Sequence, residues 1–271
     1  MANRKFTYSE FNKDPQADKQ PENIEAANDQ KSSTLKSSFN NSATLLDAFH
    51  KNFELVHADT PALRQEAYRL RYLAYCEENA FEDPAQHPDK IETDNYEDNS
   101  QHMLLKAKKS GVFIGTIRAV RPDPDTGRLP LHETGQNDIL NPIDNNTVEI
   151  SRNCLSRQRC EQSGVSRSII MNVAMPGLLQ GAFIMSQEAG AKHWVGAMEP
   201  VLITLLRRKG VEFPVLSEPF EYHGQRQIFK MNCWDGLKAC LKNNPKVGTL
   251  MQPDQKLVRK KAKTPKKALK K

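Results

Sequence analysis

Residues 147 to 156, TVEISRNCLS, set Glu149, Ser151 and Arg152 among Val148, Ile150, Cys154 and Leu155, a pattern that otherwise reads as the interior of a β-sheet. Ionised side chains are costly to remove from water, so a chain that keeps them there must pair them or use them. Other charges are placed to do this. Arg71 and Tyr75 stand four apart, on one face of a helix; Asp94 and Glu97 fall in an acidic connection, DNYE; Arg118 belongs to the strand-like run VFIGTIRAVR. Two or three arginines with three carboxylates can satisfy one another internally. Alternation along a regular strand puts Ser151 on the face of Glu149 and Arg152 on the other, unless a bulge intervenes.

The elements that must position these groups lie between polar ends. The chain has 271 residues and is 38% hydrophobic, enough for a core but lean for the whole length. Residues 1–48 are almost free of large apolar side chains and are expected to be a disordered polar segment. At the other end QKLVRKKAKTPKKALKK carries nine Lys and Arg and no acid, so the net charge of +6 is a property of the tail. Residues 246–271 are expected to be a basic disordered tail, solvated or touching nucleic acid, an anionic membrane or an acidic carrier protein. A polar N-terminus and an apolar run, VAMPGLLQGAFIM, that is short and interrupted by Pro176 and two glycines predict neither a signal peptide nor a membrane span, hence a cytoplasmic protein. Five cysteines without a C-x-x-C pair suit reduced thiols, with no metal site expected.

Between the ends, residues 49–245 read as one α+β domain. NFELVHA is a strand, and TPALRQEAYRLRYLAYCEE a helix with Thr60 as cap and Pro61 at its first position. A long acidic connection over 82–100 leads to a hairpin, HMLLKAK and VFIGTIRAVR, in which Val112, Ile114, Thr116, Arg118 and Val120 are predicted to share one face. A third strand holds Glu149; then come a helix over 167–190, the strand HWVGAM, a helix from Pro200 to Gly210, paired strands over 211–231 and a last helix, CWDGLKACLKN. This order resembles the GCN5-related N-acetyltransferase (acyl-CoA N-acyltransferase) fold, whose bent mixed sheet, flanked by helices, splays between two parallel strands.

The spaced polar residues resemble those of the autoinducer synthases, which make acyl-homoserine lactones. That family's Arg, followed by aromatics four and ten positions on, is matched by Arg71, Tyr75 and Phe81; its acidic D-x-[FY]-D by Asp94 and Glu97; its Gly-x-x-Arg by GTIR with Arg118; its E-x-S-R by Glu149, Ser151 and Arg152. Phe81 stands where the family has Trp, and Glu97 where it has Asp. The sequence is more similar to acyltransferases associated with PEP-CTERM/exosortase systems, relatives of the autoinducer synthases and N-acyl amino acid synthases, and this similarity continues through AMEPVLITLLRRKGVEF and EYHGQR.

The resemblance implies transfer of a fatty acyl group from the phosphopantetheine thioester of acyl carrier protein to an amine, an amino acid or similar, with no bound cofactor. It implies Glu149 as the base, direct or through one water, and Ser151 as a group that orients the acyl carbonyl or the base. A neighbouring guanidinium lowers the pKa of Glu149 and burial raises it, and sequence leaves the balance open. Arg71, Tyr75, Phe81, Asp94, Glu97, Arg118 and Arg152 are expected to form the ion cluster and acceptor site, with Glu199 and His223 lining it. Gly164, Ser166 and the following helix N-terminus are expected to hold the pantetheine phosphate. The Met-rich run IIMNVAMPGLLQGAFIM can line an acyl tunnel or be plain core, and Arg157, Arg159 and Arg167 can meet an acidic carrier. Other readings are an acyl relay through Cys154, a non-catalytic acyl- or carrier-binding protein, and a lactone-forming enzyme using S-adenosylmethionine.

Overall fold

The computed structural model describes residues 44–140 and 143–259. The chain opens on helix α1, Leu45–Asn52, where Thr44 and Asp47 cap each other reciprocally. Strand β1, Phe53–His57, follows. Helix α2, Pro61–Tyr72, starts as expected: the Thr60 hydroxyl accepts from the Leu63 amide at 3.2 Å and Pro61 occupies the first turn. It continues as wider π-helical turns over Leu73–Glu78. Strands β2, Ser100–Ala107, and β3, Phe113–Val120, form the hairpin, and β4, Thr147–Leu155, adds beside β3.

After β4 come helix α3, Arg157–Gln162, a helical lead-in over 167–174, helix α4, Met175–Ala189, strand β5, His193–Met198, and helix α5, Pro200–Arg208. Short β6, Phe220–Glu221, and β7, Gln225–Asn232, precede helices α6, Cys233–Asn243, and α7, Pro245–Met251. The seven strands make one open sheet in the order β1-β2-β3-β4-β5-β7-β6. All neighbours are antiparallel except β4 and β5, which pair in parallel only over Thr147–Glu149 against His193–Val195. Beyond that short ladder the two strands diverge.

One face of the sheet packs on α4, with Ile117, Ala119, Val148 and Ile150 against a helix that is apolar on all sides. The helical run Arg167–Ala189 is long and apolar enough to cross a membrane, and its most apolar window is 78% buried inside the fold. The helix expected over 167–190 is thus present, and its Pro and glycines do not break it. Pro176 sits in the first turn of α4, where a missing N–H costs least, and Gly177 gives way to the Phe49 ring, within 2.3 Å of where a Cβ would stand. On the other face α2 covers Leu104 with Ala67 and Leu70, and the polar groups gather beyond it.

Three expectations need correction. The predicted single face of β3 is broken by a bulge at Ile114, where Leu105 pairs Gly115 and Lys106 pairs Phe113. Ile114 thus joins Ile117 in the main core, while Thr116 and Arg118 lie opposite. The fold also exceeds residues 49–245 at both ends. Leu45, Leu46, Ala48 and Phe49 give α1 an apolar side, and Val247, Leu250 and Met251 bury α7 in the core, where Gln180 Nε2 donates to the Leu250 carbonyl at 2.8 Å. Arg259 is still anchored, to Glu188 at 2.8 Å and to Asp59. The rest of the expected polar segment, 1–43, and of the basic tail, 260–271, lies outside the described residues.

Candidate active site

Three arginines arrive from three elements and meet carboxylates carried by the connection between α2 and β2. Arg71, at the end of α2, donates from Nε to Glu92 and from Nη1 to Glu97 at 2.6 Å. Arg118, on β3, donates from Nη1 to Asp94 at 2.7 Å and to Glu97 at 3.2 Å. Arg152, on β4, reaches Glu92 at 3.0 Å, Asp94 at 3.6 Å and Glu82 at 3.7 Å. It does so because a bulge does intervene: Arg118 pairs Ser151 and Thr116 pairs Cys154, so that Arg152 and Asn153 face one residue, and Arg152 takes a left-handed φ of 50°. That turns its side chain to the face of the cluster.

The cluster is buried, with Arg71 and Arg118 at 0% exposure and Glu92 at 1%. Burial pushes the Glu92 and Glu97 carboxyls up, but the arginines around them outweigh it and hold both well below the usual carboxylate range, with the His102 hydrogen bond helping at Glu97. His102 lies beside Arg118 on β2 and puts Nε2 2.8 Å from Glu97. Burial lowers its pKa against the pull of Glu97, which leaves a neutral ring that donates from Nε2 to the carboxylate. Glu82, Glu92 and His102 were not singled out from sequence. The connection over 82–100 is so rich in acids that only the fold shows which ones turn inward.

Glu149 is a different kind of carboxyl. It is 4% exposed, accepts the Leu131 amide at 2.8 Å, and is pushed up to about 7 by burial, which exceeds the opposing pull of Arg118 and that amide. The balance left open by the sequence therefore falls to desolvation. Two residues on, Ser151 accepts from Arg118 Nε at 3.2 Å. Because a guanidinium cannot accept, the hydroxyl proton of Ser151 is left for another partner.

Where β4 and β5 diverge they leave a cleft of about 160 Å³. Its walls are residues 150–155 of β4, Ala197 and Met198 of β5, and Tyr75 and Phe81 from the turns after α2; Met175, Leu179, Leu202 and Phe213 make its apolar end. Ser151, Arg152, Glu199 and Arg226 face it, whereas Glu149 lies behind Ser151 and does not line it. Tyr75 and Phe81 sit with ring centroids 6.2 Å apart, under Arg152 at 5.7 Å and Arg226 at 4.7 Å respectively. Cys154 also lines the cleft, but burial pushes its thiol up to about 12, which leaves it protonated and a poor nucleophile.

Three expected site residues stand elsewhere. Gly164, at φ 67°, and Ser166 form the turn after α3 and do not line the cleft. The corner that does open on it is Ser156–Arg157, whose amide, together with the Gln158 amide and the Ser156 hydroxyl, is tied to the Glu78 carboxylate at 2.8 to 3.1 Å. His223 supports rather than lines: its Nδ1 is 3.0 Å from the Phe81 carbonyl and 3.4 Å from Glu82. Of the three surface arginines, Arg157 lines the cleft mouth and Arg159 pairs with Glu66 at 3.4 Å.

Residues 70–167 match the acetyltransferase (GNAT) domain family, a span that runs from the end of α2 through the hairpin, β4 and α3. No curated protein sequence matches the chain. Among solved structures the chain is similar to FeeM, an N-acyl amino acid synthase from uncultured soil microbes, at 12% identity over 69% of this chain and 94% of that one, with a TM-score of 0.50. It is similar to the acyl-homoserine lactone synthase LasI at 14% identity over 66% and 87%, with a TM-score of 0.50. The CoA-dependent acyl-homoserine lactone synthase BjaI aligns at 17% identity over 75% and 90%, with a TM-score of 0.52. At these identities the likeness is one of fold. With the domain match, it supports an acyltransferase of the GNAT fold, with an open mixed sheet flanked by helices.

Proposed function

We propose that the protein is a cytoplasmic N-acyltransferase that moves a fatty acyl group from the pantetheine thioester of acyl carrier protein to the amine of an amino acid. The exosortase-associated bacterial setting belongs to the same proposal and rests on sequence resemblance in the segments around Glu199 and Arg226. The observation that carries it is the forked pair β4 and β5, whose cleft is apolar at one end and has the Ser151 hydroxyl in its wall. A thioester arm lying between the strands brings its carbonyl to Ser151 and its chain to Met175, Leu179, Leu202 and Phe213.

In the reaction the amine nitrogen attacks the thioester carbonyl carbon. The new C–N bond forms, the carbonyl oxygen becomes an oxyanion, and its collapse breaks the C–S bond. Ser151 donates its proton as a hydrogen bond to that oxyanion, strengthened by Arg118 behind it. Glu149 takes the amine proton through a water, having a pKa close to the working pH, and the leaving thiolate receives one proton in turn. Products are an amide and a free thiol. The arginine-carboxylate cluster holds Ser151 and the Tyr75 turn in place rather than reacting.

The test is mass spectrometry of organic extracts from bacteria expressing the protein, compared with a Glu149→Gln control. A series of acyl amides that differ by two methylenes, absent from the control, is the expected result. Purified protein offered acyl carrier protein or coenzyme A thioesters with free amines should release thiol faster with the carrier. Absence of thiol release from both donors, whatever the amine, overturns the proposal.

A further inference from the structure

We infer that Glu199 and Arg226 are the specificity-determining pair of the acceptor site, an ion pair that opens to receive a zwitterion. This rests on the acyl-transfer reading above. Apart from Arg157 at its mouth, the charges that face the cleft fall into two kinds. Arg152 is compensated by Glu82, Glu92 and Asp94, and Glu78 by two amides and a hydroxyl, so both are committed to the fold. Glu199 and Arg226 line the cleft and face each other across it, from the start of α5 and from β7.

Their geometry is that of a loose pair on firm supports. The closest approach, Arg226 Nη1 to Glu199 Oε1, is 3.4 Å, longer than the 2.7–2.9 Å of a charge-assisted hydrogen bond. Arg226 does not depend on Glu199 for its position. Its Nη2 donates to the His223 carbonyl at 2.6 Å, its Nη1 to the Gln225 carbonyl at 3.0 Å, and its plane lies 4.7 Å from the centroid of the Phe81 ring. The turn that offers the first carbonyl has two left-handed residues in succession, His223 at φ 50° and Gly224 at φ 98°, and is pinned to Phe81 by His223. Glu199 precedes α5 without its side chain capping that helix. The pair can therefore part while the guanidinium keeps its place.

What enters between them is fixed by charge balance. Both side chains are mostly buried, at 12% and 17% exposure, so a charge left alone there is costly. An amino acid puts its carboxylate on Arg226 and its ammonium on Glu199, exchanging one pair of opposite charges for two. A simple amine engages Glu199 and leaves Arg226 without a carboxylate to replace it. Selection for the zwitterion thus includes a penalty against an amine that lacks the carboxylate. Removal of the ammonium proton then frees the nitrogen for attack on the thioester.

The experiment compares leucine and tyrosine with their carboxamides, which keep the amine and lack the carboxylate, as acceptors with palmitoyl-loaded acyl carrier protein. Wild type is expected to prefer the amino acid by at least about tenfold in kcat/KM. Arg226→Gln brings this ratio to about one through KM, and Arg226→Lys restores part of it. The ratio is taken within one preparation, so a loss of folded protein does not change it. Equal use of amino acid and carboxamide by wild type, or an unchanged ratio in Arg226→Gln, overturns the inference while acyl transfer stands. If wild type transfers to no amine, the acyl-transfer reading fails. The pair is then judged by thermal stabilisation without donor: a rise in Tm with leucine or tyrosine but not their carboxamides, lost in Arg226→Gln, supports it, and no such rise overturns it.

Discussion

Arg71 and Arg118 converge on a single oxygen: both donate from Nη1 to Oε1 of Glu97, at 2.6 and 3.2 Å. Two like charges are thereby brought to one point of a buried region, and the carboxylates around them decide whether the arrangement holds. Glu92 is the most buried of these and serves Arg71 and Arg152 together. Glu92→Gln keeps the volume and removes the charge. It is expected to cost about 3–5 kcal/mol, the range for breaking a buried pair, and chemical denaturation will measure it.

The pH dependence of stability should show two opposed limbs. Glu92 and Glu97 have folded pKa values below the ordinary 4.5, so their contribution is complete above that pH and is lost as pH falls below it. Glu149 works the other way. Its folded pKa of about 7 lies above 4.5, so the folded state binds a proton that the unfolded state has released, and stability falls as pH rises from 4.5 to 7. Glu149→Gln removes the second limb and retains an acceptor for the Leu131 amide. Near pH 8 the variant should be more stable than wild type by up to about 3 kcal/mol, although it is inactive.

Activity should report the same group. With Glu149 as base, kcat/KM rises with pH through a limb near 7, and this limb is missing from any residual activity of Glu149→Gln.

Cys154 gives a prediction of no effect. Its thiol is held up near 12 by burial, so the amine attacks the donor directly and no acyl-cysteine forms. Cys154→Ala should keep acyl transfer, and intact-mass measurement of wild type with donor alone should show no acyl adduct.

Phe213 is part of the apolar lining of the cleft and packs edge-on against Phe229, with centroids 4.8 Å apart. Phe213→Leu should cost about 1 kcal/mol and shift the product series to longer acyl chains, read from the same lipid extracts.

Much of this was legible from local rules. Thr60 and Pro61 mark the start of α2, the runs HMLLKAK and VFIGTIRAVR mark the hairpin, and the E-x-S-R run places Glu149 and Ser151 on one strand face. What the sequence did not disclose depends on breaks in periodicity or on distance along the chain. The bulge at Arg152 has no Gly or Pro to announce it, whereas at Ile114 the adjacent Gly115 was an available signal, and each bulge turns a side chain to the opposite face. Glu82 and Glu92 are two acids among many until Arg152 selects them, and Arg226 lies in β7, far along the chain from the Phe81 ring on which it stacks. Charge also masked α7, because its apolar residues precede a dense basic stretch.

The short ladder between β4 and β5 has one more consequence. Four strands stand on one side of it and three on the other, and three residue pairs are all that couple them edge to edge. Gly196 guards the end of that spine, since a Cβ there would stand 2.6 Å from the Ile150 carbonyl. Mechanically the sheet is two leaves joined by a brief ladder. A ligand lying in the fork touches both and acts as a missing rung, so amide exchange in β5 and β7 should slow together with that in β4 when the fork is filled, and independently when it is empty.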